Sequence, residues 1–207
     1  IFVVCPVLIL LYYAFTNGAG EFSLKNFTLF FTDSKAIGTL IYSAMIAVVT
    51  TLVCLLIAYP VAYILAKGEF RRGNVLLMLF VMPMWINFTL RITALKEILT
   101  MIEGNLAFHP FLNTVIGMTY DFLPFMILPI YNTIAKIDHS YIEAALDLGA
   151  KHHHVFSRVV LPLSVPGIIS GITMVFLPAM TNYVVLDMMY NSTYIMGSLV
   201  GSYFNMY

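Results

Sequence analysis

Few side chains in this sequence combine charge with an apolar setting, and those are where its chemistry must be sought. Asp121 stands in "GMTYDFLPFM" and Asp187 in "YVVLDMM". An ionised group at membrane depth costs about 2.5–3.5 kcal/mol on insertion scales, so it is kept where it faces water, pairs, or works. Two carboxylates along a wet path would attract amines without a tightly shaped pocket. Trp85, Tyr120 and Tyr183 can add cation–π contacts of about 0.5–2 kcal/mol each. Asn182 lies next to Tyr183. Asp121, Asp187, Trp85, Asn182 and Tyr183 are therefore the residues expected along a substrate pathway, with packing as the blander role of each aromatic.

Other chemistry is poorly supported. Arg91, after "PMWINFTL", reads as a snorkelling or pairing residue at the outer interface. The triplet His152–His154 invites a metal, but consecutive helical residues point about 100° apart and do not converge on one ion. Neither a Cys nor an acidic set stands beside it, so a solvated turn is expected and no metal site. Cys5 and Cys54 lie in apolar runs and read as small buried hydrophobes. No GxxxxGK[ST] loop is present, and Gly68 and Gly73 lack its spacing and its Lys. GxGD and HExxH patterns are absent, which leaves an intramembrane enzyme as a remote alternative with no catalytic residues to name.

The elements that must position these residues follow from composition. Of 207 residues, 61% are hydrophobic and 10% charged, with net charge zero. A soluble domain averages about 45–50% apolar and about 25% charged. This composition argues against a disordered chain, a nucleic-acid binder and an ordinary cytosolic enzyme, and it points to a polytopic membrane protein. Apolar runs fall at 1–16, 37–66, 75–95, 112–135 and 159–189. Lipid offers no partner for backbone groups, so these runs are expected to be helices, each near the roughly 20 residues that a span needs. The fold class is all-α, a transmembrane helical bundle with five visible spans. The chain begins at Ile1 and ends at Tyr207 within apolar sequence, and both ends read as cut.

Lys and Arg favour one orientation weakly. Loops 67–74 and 136–158 hold six (Lys67, Arg71, Arg72, Lys136, Lys151, Arg158), against Lys25, Lys35, Arg91 and Lys96 on the other side. The first pair of loops is thus expected in the cytoplasm. Pro124 and Pro129 in "DFLPFMILP" are expected to kink a helix or shape a cavity wall. Gly167 and Gly171 form a small-xxx-small pair suited to close helix packing; Gly197 and Gly201 repeat the spacing more weakly.

The stretch 136–167, "KIDHSYIEAALDLGAKHHHVFSRVVLPLSVPG", differs in kind. Asp138 or Ser140 can cap a short helix beginning near Tyr141. Ile142, Ala145 and Leu146 share one face, and Gly149 can end the helix in a left-handed conformation. A small amphipathic helix held between two spans can plug into a partner's groove and transmit its motion.

Glu143, Ala144, Ala145, Gly149, Val159, Leu161 and Pro162 resemble the EAA signature of ABC-importer permeases: EAA, three residues, G, nine residues, I, one residue, LP. Val159 stands where the signature has Ile. "PMWINFTLRITALK", "LPFMILPIYNTIAKID" and "LPAMTNYVVLDMM" are similar to the B-type permeases of spermidine/putrescine importers. The resemblance implies the type I importer permease fold, with a sixth span beyond Tyr207. It implies one permease domain over 1–207, with a cytoplasmic coupling-helix loop at about 136–160 that docks on an ATPase dimer. A second permease subunit and an extracytoplasmic solute-binding protein would complete the machine. That binding protein would deliver cargo to residues 17–35, 100–110 and 191–207, in a bacterial inner membrane. ATP would be bound by the partner, and this chain would need no cofactor. Importers of ferric ion, sulfate and other small solutes share the fold and are the nearest alternative.

Overall fold

The computed structural model describes residues 4–16, 22–68 and 73–189. They form α1 (Val4–Ala14), α2 (Lys25–Thr32), α3 (Ser34–Lys67), α4 (Gly73–Val81), α5 (Phe88–Glu103), α6 (Pro110–Ala135), α7 (His139–Asp147), α8 (His152–Val155), α9 (Leu161–Thr181) and α10 (Tyr183–Met189). Residues 191–207, with Gly197 and Gly201, lie outside the described residues, as do 17–21 and Arg71 and Arg72.

The all-α expectation holds. Among the described residues, three helical segments are long and apolar enough to cross a membrane: Ser34–Lys67, Pro110–Ala135 and His152–Thr181. The run at 75–95 departs from expectation, because it is not one straight span. Val75–Trp85 and Phe88–Glu103 meet at 98°, as a broken span or a re-entrant loop. The cause is local. Pro83 lacks an N–H and stands at the start of a 3₁₀ turn, Met82–Trp85. Ile86 is extended, and Asn87 then caps α5, the Thr89 amide donating to its Oδ1 at 2.9 Å. The run at 159–189 is broken too. Asn182 leaves the helix at φ −75°, ψ 89°, and its side chain accepts the Val184 amide at 3.1 Å to start α10. The first apolar run is represented by α1, 11 residues long and too short to span by itself.

Lipid cannot drive helices together by hydrophobicity, so their contacts depend on close packing. In α3 the buried residues Ala36, Thr39, Ser43, Ala47, Thr50, Cys54, Ala58 and Ala62 make a small-residue stripe at helical spacing. Large apolar side chains such as Ile41, Met45, Leu52 and Leu56 point away from the bundle. This outward display is what a lipid-facing surface requires. Helix α6 is central, packed between α3 and α9. A buried stripe that includes Met126, Ile127, Ile130 and Ile134 fills the middle.

Helix α9 reaches α6 through Gly167 and Gly171. A Cβ added at Gly167 would lie 2.5 Å from Thr133 Oγ1 and 2.8 Å from the Pro129 carbonyl oxygen. Gly167→Ala is therefore expected to cost about 1–3 kcal/mol through overpacking, read as a lowered thermal midpoint of the solubilised protein. Tyr59 and Ser164 bond across α3 and α9 at 3.0 Å.

Helix α8 runs into α9 through a π-helical turn, Phe156–Val160, in which the Leu161 amide donates to the Phe156 carbonyl. Pro162 explains the wide turn. It offers no N–H to the Arg158 carbonyl, and its ring needs that carbonyl moved aside. Tyr59 and Tyr63 meet the Phe156 ring edge-on at 5.8 and 5.4 Å and hold the turn against α3.

Candidate functional site

The loop between α6 and α9 is built from its caps inward. Asp138 adopts an extended conformation at φ −63°, ψ 135°, and its Oδ1 accepts the Ser140 amide at 3.0 Å. Of the two caps the sequence allows, Asp138 is the one used. Hydrogen bonds from Ser140, and then the charges of Lys67 and His139, hold the Asp138 carboxyl below the usual carboxylate range. A lowered carboxylate pKa means that the cap is fully present above the ordinary range and lost only as pH falls through the lowered value. Asp138→Ala is expected to destabilise the first turn of α7, seen as faster hydrogen exchange at Ser140 and Tyr141. The wild-type amides should show the same acceleration only in acid.

Lys67, the last residue of α3, donates its Nζ to the Ile137 carbonyl at 2.6 Å. The start of α7 is thereby tied to a membrane span rather than left on a free tether. Ile142, Ala145 and Leu146 are the half-buried face of α7, while Tyr141, Glu143, Ala144 and Asp147 face outward. The Glu143 carboxylate lies 3.0 Å from His139 Nδ1, one turn earlier. Gly149 has φ +80°, as its type implies. Its amide donates to the Leu146 carbonyl at 2.8 Å, and the Ala150 amide donates to that of Ala145 at 3.0 Å. These two bonds make a Schellman ending. A Cβ at Gly149 would meet nothing within 4 Å, so the glycine is required by conformation and not by space. The ending leaves Leu148 89% exposed, an apolar tip. Leu161 and Pro162 are exposed just beyond the π turn.

The second cluster lies where the bent pair meets α6. Arg91 of α5 and Asp121 of α6 form an ion pair through Nη2 and Oδ1, with both side chains almost fully buried. Of the two roles expected for Arg91, snorkelling and pairing, the structure shows pairing. Residues 87–91 fold back from the break and carry it inward, where a carboxylate supplies the charge that water would have. Its Nη1 donates to the Pro83 carbonyl at 3.3 Å, across the bend. Its Nε is buried and has no partner.

The pair lines an open cavity of about 320 Å³ together with Met84, Phe88, Phe122, Phe125 and Asn182. Of the residues expected on a substrate path, the structure brings Asp121 and Asn182 to this cavity. Trp85, at the bend, is 85% exposed and Tyr183 47% exposed, and neither lines it. Asp187 is exposed on α10 and stands apart from it. In the sequence Arg91 and Asp121 stand 30 residues apart and read as separate features. Their opposite charges in neighbouring apolar segments were the available signal of a pair. The Lys67 tether left no such signal, because a Lys ending a span looks like any interfacial Lys.

A bundle with lipid-facing apolar side chains, carrying a capped amphipathic helix between two spans, defines a polytopic integral membrane protein with a short projecting helix. Residues 58–206 match the family described as binding-protein-dependent transport system inner membrane component, and the chain belongs to that family. It is 37% identical to the spermidine/putrescine transport system permease protein PotB of Escherichia coli, over 81% of this chain and 66% of that protein. Identity to PotB of Haemophilus influenzae is 36%, over 91% of this chain and 72% of that protein. A PotB homolog of Mycoplasma genitalium is 32% identical over 70% of this chain and 54% of its own length. The chain spans just under two thirds of the length of the E. coli relative it matches.

Proposed function

We propose that the chain is a permease subunit of an ATP-driven importer, forming half of a translocation path for polyamines. The observation that carries this reading is the projecting helix α7. Glu143, Ala144 and Ala145, the Schellman glycine Gly149, and Leu161 and Pro162 after the π turn keep the spacing of the importer signature on a rigid, exposed knob. Two ATPase subunits dock on such helices in the cytoplasm. Their ATP-driven closure shifts the bundle between inward- and outward-facing states, so the energy comes from the partner and the permease supplies a conformational equilibrium to be biased. A second permease subunit completes the path, and an extracytoplasmic binding protein delivers cargo. The membrane is the bacterial inner membrane. The polyamine assignment draws on the PotB relatives and on the Asp121 carboxylate, paired with Arg91, beside a cavity walled by Phe88, Phe122 and Phe125.

Uptake of radiolabelled putrescine or spermidine by cells carrying the full subunit set tests the reading. Saturable uptake that unlabelled polyamine abolishes, and sulfate or ferric ion does not, is the expected result. Uptake of sulfate or ferric ion instead would transfer the chain to a neighbouring importer class.

A further inference from the structure

A carboxylate meant to receive an ammonium should be available to it, yet Asp121 is already engaged by Arg91. Stability is a weak reason for that engagement, since a buried ion pair is often no better than a packed apolar pair of similar volume. The pair is also incompletely enclosed. It stands in the wall of an open cavity whose other lining residues are Met84, Phe88, Phe122, Phe125 and Asn182. Among the described residues, Asp121 is the one acidic group that lines that cavity. An ammonium entering it meets Asp121 with Oδ1 already held by Arg91, and competes with the guanidinium for that carboxylate.

Arg91 is held in a way that permits exchange. Its Nε is unpartnered, and its bond to the Pro83 carbonyl is long, at 3.3 Å. A bidentate, fully bonded guanidinium would be far harder to dislodge. The guanidinium carbon already lies 6.0 Å from the centre of the Tyr120 ring, so a cation–π contact accompanies the ion pair and can remain when the carboxylate is given up. A cation over an aromatic face keeps part of its stabilisation as it moves towards water.

We infer that Arg91 is a built-in stand-in for the cargo cation: it occupies Asp121 in the unloaded chain, and an ammonium group of the cargo displaces it. No bond is made or broken; one cation replaces another on the same carboxylate. The exchange keeps Asp121 paired at every stage and avoids an unpaired buried charge when the path is empty. Because Arg91 also spans the bend through Pro83, its release would loosen the hold of the bent pair on α6. The inference rests on the polyamine reading above and specifies the regulation of that site.

Two measurements test it. In the full importer reconstituted in liposomes, the paired variant Arg91→Leu/Asp121→Leu is expected to raise the KM for putrescine about tenfold, the size of effect lost with one charged contact. Co-purification with the partner subunits checks that this variant is assembled. A KM within twofold of wild type would make the pair purely structural and overturn the inference. Separately, the full-length Arg91→Ala chain in detergent should gain thermal stability as putrescine is added. The uncharged 1,4-butanediol should give no gain, nor should putrescine when Asp121→Leu is added. An Arg91→Ala chain indifferent to putrescine, or equally stabilised by the diol, would also overturn it. This second arm needs no transport, so failure of wild-type polyamine uptake would fall on the importer reading and remain distinguishable from failure of the exchange.

Discussion

Asp121→Leu with Arg91 left in place is expected to lower the stability of the chain by about 3–5 kcal/mol, because it leaves a buried guanidinium without a counter-charge. The Arg91 side chain is almost fully buried, and what else touches its charge is the Pro83 carbonyl at 3.3 Å and the Tyr120 ring at 6.0 Å. The paired variant Arg91→Leu/Asp121→Leu should recover most of that loss, since two apolar side chains of suitable volume often match or exceed a buried ion pair. Equilibrium unfolding in mixed micelles reads both. Equal destabilisation by the single and paired changes would mean that removing the stranded guanidinium restores nothing, so that the loss comes from packing and not from an unpaired charge. A loss below about 1 kcal/mol for the single change would mean that water reaches the pair freely.

The second large effect is expected at the end of α7. Gly149→Val places a β-branched residue at φ +80°, a conformation that costs an L-residue about 1–2 kcal/mol. The neighbourhood is empty, so the chain can still fold. The Schellman bonds to Leu146 and Ala145 would be disturbed, and the exposed Leu148 tip would be re-aimed. Uptake should fall by at least about tenfold, the order of effect seen when a rigid positioning element moves by roughly an ångström. Membrane insertion and α3–α6–α9 packing should be unchanged. Glu143→Ala should reduce uptake and association with the ATPase in the same pattern, with less effect on the helix itself, because Glu143 is exposed and its local partner is His139. Near wild-type uptake in both variants would separate α7 from energy coupling.

What the sequence disclosed and what it concealed follow from the range of the forces involved. The caps and ending of α7 are local: Asp138 bonds two residues ahead, and Gly149 answers to its own φ. Such signals stand in a short stretch of sequence and can be read there. The Gly167–Gly171 pair was legible as a packing surface for the same reason, although only the structure names Thr133, Pro129 and Met126 as what it touches, and the small-residue stripe of α3 emerges only from the structure. The break at residues 86–87 was legible in its parts, Pro83 and Asn87, but apolar content alone made 75–95 look continuous. Hydropathy records whether a residue tolerates lipid, not whether its backbone turns. The same blindness joined α9 to α10 across Asn182. Arg91 and Asp121 are 30 residues apart, and only the fold-back of α5 onto α6 makes them partners. The Lys67 tether is longer still in sequence, at 70 residues, and depends on where two spans end.

The account turns on α7 being the part that a separate motor grips. A cysteine placed at Leu148 in the complete importer, in membrane vesicles, gives the most direct measurement, with a short bifunctional crosslinker followed by mass spectrometry. The account predicts a crosslink to the nucleotide-hydrolysing subunit, with a yield that changes between the ATP-bound and nucleotide-free states. A Leu148 cysteine that is shielded by lipid, or that reaches no nucleotide-hydrolysing protein in either state, would contradict it.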